Sequence, residues 1–165
     1  MKDLNGEGLY IRDEESGEFW SPSPLPARGK TPYVTRHGFG YSVFEHEEDG
    51  IASELWISVD LEVCVKFMTL KIKNNSGRWR KLSATAYVEW VLGSIRARTG
   101  MYTVTEKDTR TGALLARNSY NMEFPHHVAF LQTDEANITY TTDRNEFIGR
   151  NGPAASSGLE KCTIV

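Results

Sequence analysis

The stretch KLSATAYVEWVLG, residues 81–93, constrains the fold most. Leu82, Ala84, Ala86, Val88, Trp90 and Leu92 fall on one side by period two, and Ser83, Thr85, Tyr87 and Glu89 on the other. A helix would scatter both sets around its circumference, whereas an extended strand sorts them onto two faces. IASELWISVD repeats the pattern, with Ile51, Leu55, Ile57 and Val59 opposed to Ala52, Glu54, Trp56, Ser58 and Asp60. Both segments are expected to lay one face on a core and leave the other partly wet.

The run LEVCVKFMTLKIKN changes phase. Val63, Val65 and Phe67 are odd-numbered, whereas Met68, Leu70 and Ile72 are even-numbered. A bulge near Phe67 or Met68, or a strand covered on both faces, would reconcile the halves. KNNSGR then gives a turn, so residues 62–92 read as strand, turn, strand. Further on, MYTVTEKDTRTGALLARNSY predicts two strands around a polar turn at Asp108–Gly112, and HHVAFLQTD and NITYTT predict short strands. No segment carries a useful helical stripe. The expected architecture is all-β and antiparallel, with two packed sheets. SPSPLPARGKTP, with four prolines, predicts an extended loop or edge segment. RNGPAASSGLEK is linker material, which places a domain boundary at residues 152–153 and a small-residue tail over 153–165.

A chain of 165 residues holds one domain, and a core of that size needs neither disulfide nor metal. The net charge of −3 disfavours a nucleic-acid surface. Cys64 and Cys162 have no metal or redox spacing, and Cys64, inside an apolar run, reads as a buried small hydrophobe. The start MKDLNGEG has no apolar core, so no signal peptide is expected, and no apolar run reaches membrane-span length. The expected setting is cytoplasmic, or the cytoplasmic face of an inner-membrane parent protein. The ending Cys162-Thr163-Ile164-Val165 matches a prenylation pattern only formally, without an upstream basic cluster.

RHGFGYSVFEHEEDG, residues 36–50, is the most chemically loaded stretch. Read as one strand, it sends His37 and His46 to opposite faces, which argues against a shared metal site. Gly38 and Gly40 leave room for close packing, and Asp49-Gly50 signals a hairpin turn. His126 and His127 are neighbours and point apart on a strand, so they do not chelate one ion. No nucleophile elbow, P-loop, dinucleotide fingerprint or zinc spacing is present. The expectation is therefore no catalytic residue, no metal and no cofactor in this chain. Glu54 and Glu89, both mid-strand, are the first carboxylates to examine for glycoside chemistry, with wet faces or ion pairs as the simpler role. Trp20 and Trp79 flank loops where a ring can stack on a sugar or meet another domain, while Trp56 and Trp90 read as packing residues.

The ordered motifs YIRDEESGEFWSPSPLPAR, YVTRHGFGYSVFEHEEDGI, LKIKNNSGRWRKLSATAYVEWVLG, GALLARNSY and FIGRNG resemble the β-sandwich domain of glycosyltransferase family 36, the same as glycoside hydrolase family 94. They resemble in particular the phosphorylase-like region of cyclic β-1,2-glucan synthases. The resemblance runs from Gly8 to Gly152. It implies a galactose-mutarotase-like super-sandwich that supports a separate catalytic (α/α)-barrel. Beyond FIGRNG the pattern is lost where further sandwich strands belong, so a truncated sandwich with unpaired edges and a possible homodimer is expected.

The resemblance implies a non-catalytic domain of a β-glucan-handling phosphorylase or synthase. Trp20, Arg36, His37, Tyr41 and Trp79 are then the candidates to meet a β-glucan oligosaccharide or the barrel. The alternatives are an independent carbohydrate-binding module and, third, a mutarotase-type enzyme with a histidine acid and a glutamate base.

Overall fold

The computed structural model describes residues 6–135, 138–143 and 147. The elements are β1 (Glu7–Asp13), β2 (Phe19–Trp20), β3 (Tyr33–Gly38), β4 (Tyr41–Glu48), β5 (Ile51–Val59), β6 (Lys66–Asn74), β7 (Leu82–Val88), a one-turn α1 (Arg96–Thr99), β8 (Val104–Lys107), β9 (Leu114–Arg117) and β10 (Val128–Leu131). They form three antiparallel sheets in the orders β2-β1-β7, β3-β4-β5-β6 and β10-β9-β8. The all-β, antiparallel expectation holds, with three sheets among the described residues where two are expected. The domain boundary at 152–153, the FIGRNG motif beyond Phe147, and Cys162 lie outside the described residues. Among the described residues, no helix is long and apolar enough to cross a membrane.

The second sheet lays its inner face on the first. Ile51 packs with Ile11 and Trp20, and Leu70 and Leu82 close the cluster. The opposite face of the first sheet is covered as well: Tyr10, Ala27 and Phe147 form a second cluster joined by Phe19 and Tyr87. This corrects the reading of β7. Its polar side is not wet, because Ser83 and Thr85 are buried, and Ser83 Oγ donates to Glu14 Oε1 at 2.5 Å. A hydroxyl that has a partner can enter a core at little net cost.

Further readings change. The 36–50 stretch is not one strand. It turns at Phe39–Gly40, with Gly40 at φ 78°, and again at Asp49–Gly50, at φ 46° and 74°. Positive φ at both central residues is the hairpin geometry that Asp-Gly favours. The Phe39–Gly40 reversal brings His37 and His46 to the same face, at opposite ends of the β3–β4 ladder. The phase change near Phe67 is neither a bulge nor two-sided burial. Residues 60–65 form a loop, and β6 begins at Lys66 in unbroken register with β5. Cys64 lies exposed in that loop and is not a core residue. β6 and β7 keep the strand, turn, strand order but belong to different sheets. The described part of NITYTT, residues 138–142, is not a strand; Ile138 makes an isolated bridge.

The proline-rich segment is a closed loop pressed onto the sandwich. Ser21 N–H donates to Ala27 O at 2.6 Å, and Tyr33 Oη accepts from Gly29 N–H at 2.8 Å while donating to Ser21 O at 2.9 Å. Where the chain crosses from the second sheet to the first, Arg80 is buried between them. It donates through Nε to Asp13 Oδ2 at 3.0 Å, through Nη1 to Asp49 O at 2.9 Å, and through Nη2 to Asp49 Oδ2 at 2.9 Å. Burial works to raise the Asp13 carboxyl, but the Glu15 N–H and the Arg80 guanidinium outweigh it and hold it below its ordinary 3.8.

Asp13→Ala should cost about 3 kcal/mol in urea unfolding, the lower end for breaking a buried pair, since Asp49 still faces the guanidinium. The depressed carboxyl contributes stability that is fully present above its unfolded value near 3.8 and is lost as pH falls through the lower folded value. The stability gap between wild type and Asp13→Asn should therefore stay constant above about pH 4 and narrow below it.

Candidate functional site

Register fixes what the outer face of the second sheet displays. The cross-strand rows are Gly38–Tyr41–Ser58–Phe67, Arg36–Val43–Trp56–Thr69 and Val34–Glu45–Glu54–Lys71. Directly opposed residues share a face, so the sheet brings Arg36, Tyr41, Glu45, Glu54, Trp56 and Lys71 together from positions up to 35 residues apart in sequence.

The aromatic rings form a ladder. Tyr41 stacks on Trp56 with centroids 5.6 Å apart and planes 23° from parallel. A side chain at Gly38 would collide with the Tyr41 ring, so that glycine allows the tyrosine to lie across β3. Lys71 Nζ sits 5.4 Å from the centre of the Trp56 ring, within cation–π range.

The charges are arranged in pairs. Arg36 donates to both oxygens of Glu45, at 2.6 and 2.8 Å, the fork geometry that makes guanidinium–carboxylate pairs directional. Glu54 Oε1 accepts from Trp56 Nε1–H at 2.6 Å and from Lys71 Nζ at 3.0 Å. The indole N–H first, and then the Lys71 ammonium, hold the Glu54 carboxyl below its ordinary 4.5. Glu54 is thus an ionised acceptor at neutral pH and a poor proton donor. Glu45 stands directly opposite it, but each carboxylate already has its own cation. The face is a rigid surface of ring edges and planar hydrogen-bonding groups, without a poised acid.

Of the residues singled out in sequence, the structure brings Arg36, Tyr41 and Glu54 together here. His37 lies on the opposite face of the same sheet, its Nδ1 2.8 Å from Ser42 Oγ and its ring edge-on to Phe44. Trp20 is 2% exposed and packs in the core, so it has no face open to a sugar; its position beside a loop misleads because its ring turns inward onto Ile11 and Ile51, between the two sheets. Trp79 is exposed on the connection between the sheets, off this face. Glu89 follows β7 in the other sheet and pairs with Arg96, so it does not face Glu54. Trp56 and Lys71 belong to the site although the sequence reading does not include them. Register places them there, and an isolated strand pattern does not carry register.

His46 is the other histidine with a carboxylate partner. Its Nε2 lies 3.2 Å from Glu48 Oε2, its Nδ1 lies 3.2 Å from Pro32 O, and Tyr33 stacks on its ring at 3.8 Å. Both side chains are buried, and Glu48 also accepts the Lys30 N–H at 2.7 Å. The pair braces the proline-rich loop. Among the described residues, no cluster of histidine, cysteine or acids could hold a metal ion.

The family model of the glycosyl hydrolase 94 supersandwich domain matches residues 1–160. The chain is 37% identical over 148 residues to the cyclic beta-(1,2)-glucan synthase NdvB of Rhizobium meliloti (strain 1021), covering 89% of this chain and 5% of that protein. It is 31% identical over 155 residues to solabiose phosphorylase of Paenibacillus borealis, covering 91% of this chain and 20% of that one. Against N,N'-diacetylchitobiose phosphorylase of Vibrio furnissii the identity is 33% over 97 residues, covering 57% and 12%. The chain belongs to the glycosyl hydrolase 94 supersandwich family, and it spans a fifth or less of the length of these relatives.

Replacing Trp56 with Phe keeps a ring over the sheet and removes the indole donor. The Glu54 carboxyl should then move up toward 4.5, read by carbon-detected NMR titration. An unmoved Glu54 would show that Lys71 alone depresses it.

Proposed function

We propose that this chain is a non-catalytic sandwich domain of a larger β-glucan-processing enzyme, a synthase or an inverting phosphorylase, which supports the catalytic (α/α)-barrel. Its outer face, around Tyr41 and Arg36, is open to a glucan oligosaccharide. The observation that carries this reading is the family match across residues 1–160, in a chain much shorter than its relatives. The chemistry of the described residues agrees. Glu54 and Glu45 are each neutralised by their own cation, and the histidine–carboxylate pair His46–Glu48 is buried under a loop. A mutarotase-type mechanism needs a histidine and a glutamate exposed to the sugar, whereas the His46–Glu48 contact is buried.

Two assays test the proposal. Fresh α-glucose should equilibrate at the uncatalysed rate in the presence of the chain, and β-1,2-linked glucooligosaccharides with inorganic phosphate should yield no sugar phosphate. Turnover in either assay would overturn a non-catalytic role. In a tryptophan-fluorescence titration, the same oligosaccharides should bind weakly, at millimolar concentration, with cellooligosaccharides as control. Tyr41→Ala should abolish the response. Binding unchanged in Tyr41→Ala would remove the outer face from the proposal.

A further inference from the structure

Where the proline-rich loop meets β2, the chain leaves a cavity of about 260 Å³, lined by residues 17–20, residues 28–30 and Glu48 at the end of β4. Sites for drug-sized ligands begin at roughly 300 Å³, so this one suits a single six-membered ring and not a chain. Glu48 is 6% exposed, and its two oxygens differ. Oε2 takes every contact: the N–H groups of Lys30 at 2.7 Å and Thr31 at 3.4 Å, and His46 Nε2 at 3.2 Å. Oε1 accepts no hydrogen bond among the described residues. A buried carboxylate oxygen without a donor is costly, and the cavity that Glu48 borders is the space from which a donor can reach it. Trp20 borders the same cavity, and its indole Nε1–H is buried without an acceptor.

The loop holds this arrangement ready. Gly29 N–H is tied to Tyr33 Oη, and a side chain at Gly29 would collide with the Glu48 carboxylate and the His46 ring. Glycine there lets the backbone lie against both. Lys30 Nζ is committed to Glu18 at 2.8 Å. The Arg28 guanidinium is exposed and, among the described residues, makes neither an ion pair nor a hydrogen bond. Phe19, half-buried, adds a ring to the lining. A backbone fixed before binding lowers the entropic cost of taking up a ligand.

We propose that this cavity is a binding site for one pyranose ring, a free sugar or the terminal residue of a saccharide. A hydroxyl both donates and accepts, so one hydroxyl donates to Glu48 Oε1 while its neighbour accepts from Arg28, with the apolar face of the ring toward Phe19. Ions fit the lining worse. An anion meets the carboxylates of Glu18 and Glu48, and a cation meets Arg28 and Lys30. The site shares no residue with the outer face of the second sheet, where Arg36 and Tyr41 lie, and does not depend on glycan binding there.

The test is a proton–nitrogen NMR titration of the 165-residue chain with D-glucose. The Trp20 indole and the Gly17 and Gly29 amides should shift saturably at millimolar sugar, and the Trp56 indole reports the outer face separately. Arg28→Ala, at an exposed side chain with no partner to lose, should leave the unfolding midpoint unchanged. It should weaken binding at the cavity by at least about tenfold, the effect of one hydrogen bond to a charged group. Tyr41→Ala should leave the cavity's affinity as it is. The absence of a saturable shift at these three resonances, or an equal affinity in Arg28→Ala, would overturn the proposal. So would inorganic phosphate moving them at lower concentration than glucose, the mark of an anion site. Shifts confined to the Trp56 indole would remove this cavity and keep the outer face.

Discussion

The Arg80 guanidinium is the contact on which the sandwich depends. It is buried where the chain leaves the second sheet for the first, and it touches a carboxylate from each: Asp13 at the end of β1 and Asp49 in the β4–β5 turn. A buried charge is tolerated only when its donors are matched. The guanidinium donors are met by partners in fixed positions on two sheets, so the pairing specifies how the sheets sit as well as neutralising the charge. A misregistered turn would move Asp49 and leave the guanidinium with Asp13 alone. The same contact explains why residues 75–81 cross between sheets and do not close a hairpin. The Asn-Ser-Gly turn ends β6, and Arg80 directs the chain from there onto β1.

Local signals make the strands legible, and partner identity stays hidden. The alternation of 82–88, the Asp49-Gly50 turn and the Asp108–Gly112 turn each depend on a few adjacent residues, and each appears where the pattern puts it. The side of a strand that meets another layer depends on residues far away. Ser83 and Thr85 read as wet because they are polar, but the first sheet carries a core on both faces and takes them in. The Phe39–Gly40 reversal escapes the pattern because phenylalanine is not a turn former. That omission alone places His37 and His46 on opposite faces. The odd phase of Val63 and Val65 comes from treating a loop as part of a strand.

The outer face follows the same logic. Trp56 reads as a packing residue, and it does pack, between Tyr41 and Lys71. Hidden from the sequence is that four strands align Arg36, Glu45, Glu54 and Lys71 into neighbouring ion pairs. Exposed pairs of this kind contribute little to stability. Their effect is chemical: each carboxylate is committed to a cation, which removes it as a proton donor and leaves a polar, preorganised surface. A catalytic acid is made by the opposite arrangement, a carboxyl desolvated or crowded by another carboxylate so that it keeps its proton.

The two ends of the second sheet differ in what they bury. Burial at the Ile51 end secures the sheet to its partner, since Ile51 meets Ile11 and Trp20 there. The other end exposes large apolar groups on a capped loop and a two-residue turn, a costly arrangement in water for a domain that is to remain alone. Flexible exposure would let those side chains collapse against the sheet. The Asp60 carboxylate, which caps the N–H groups of Glu62 and Val63, and the Val59–Gly40 hydrogen bond brace the backbone that carries Leu61 and Phe39. The apolar groups at this end are thus carried on a braced backbone, whereas those at the Ile51 end are held by burial.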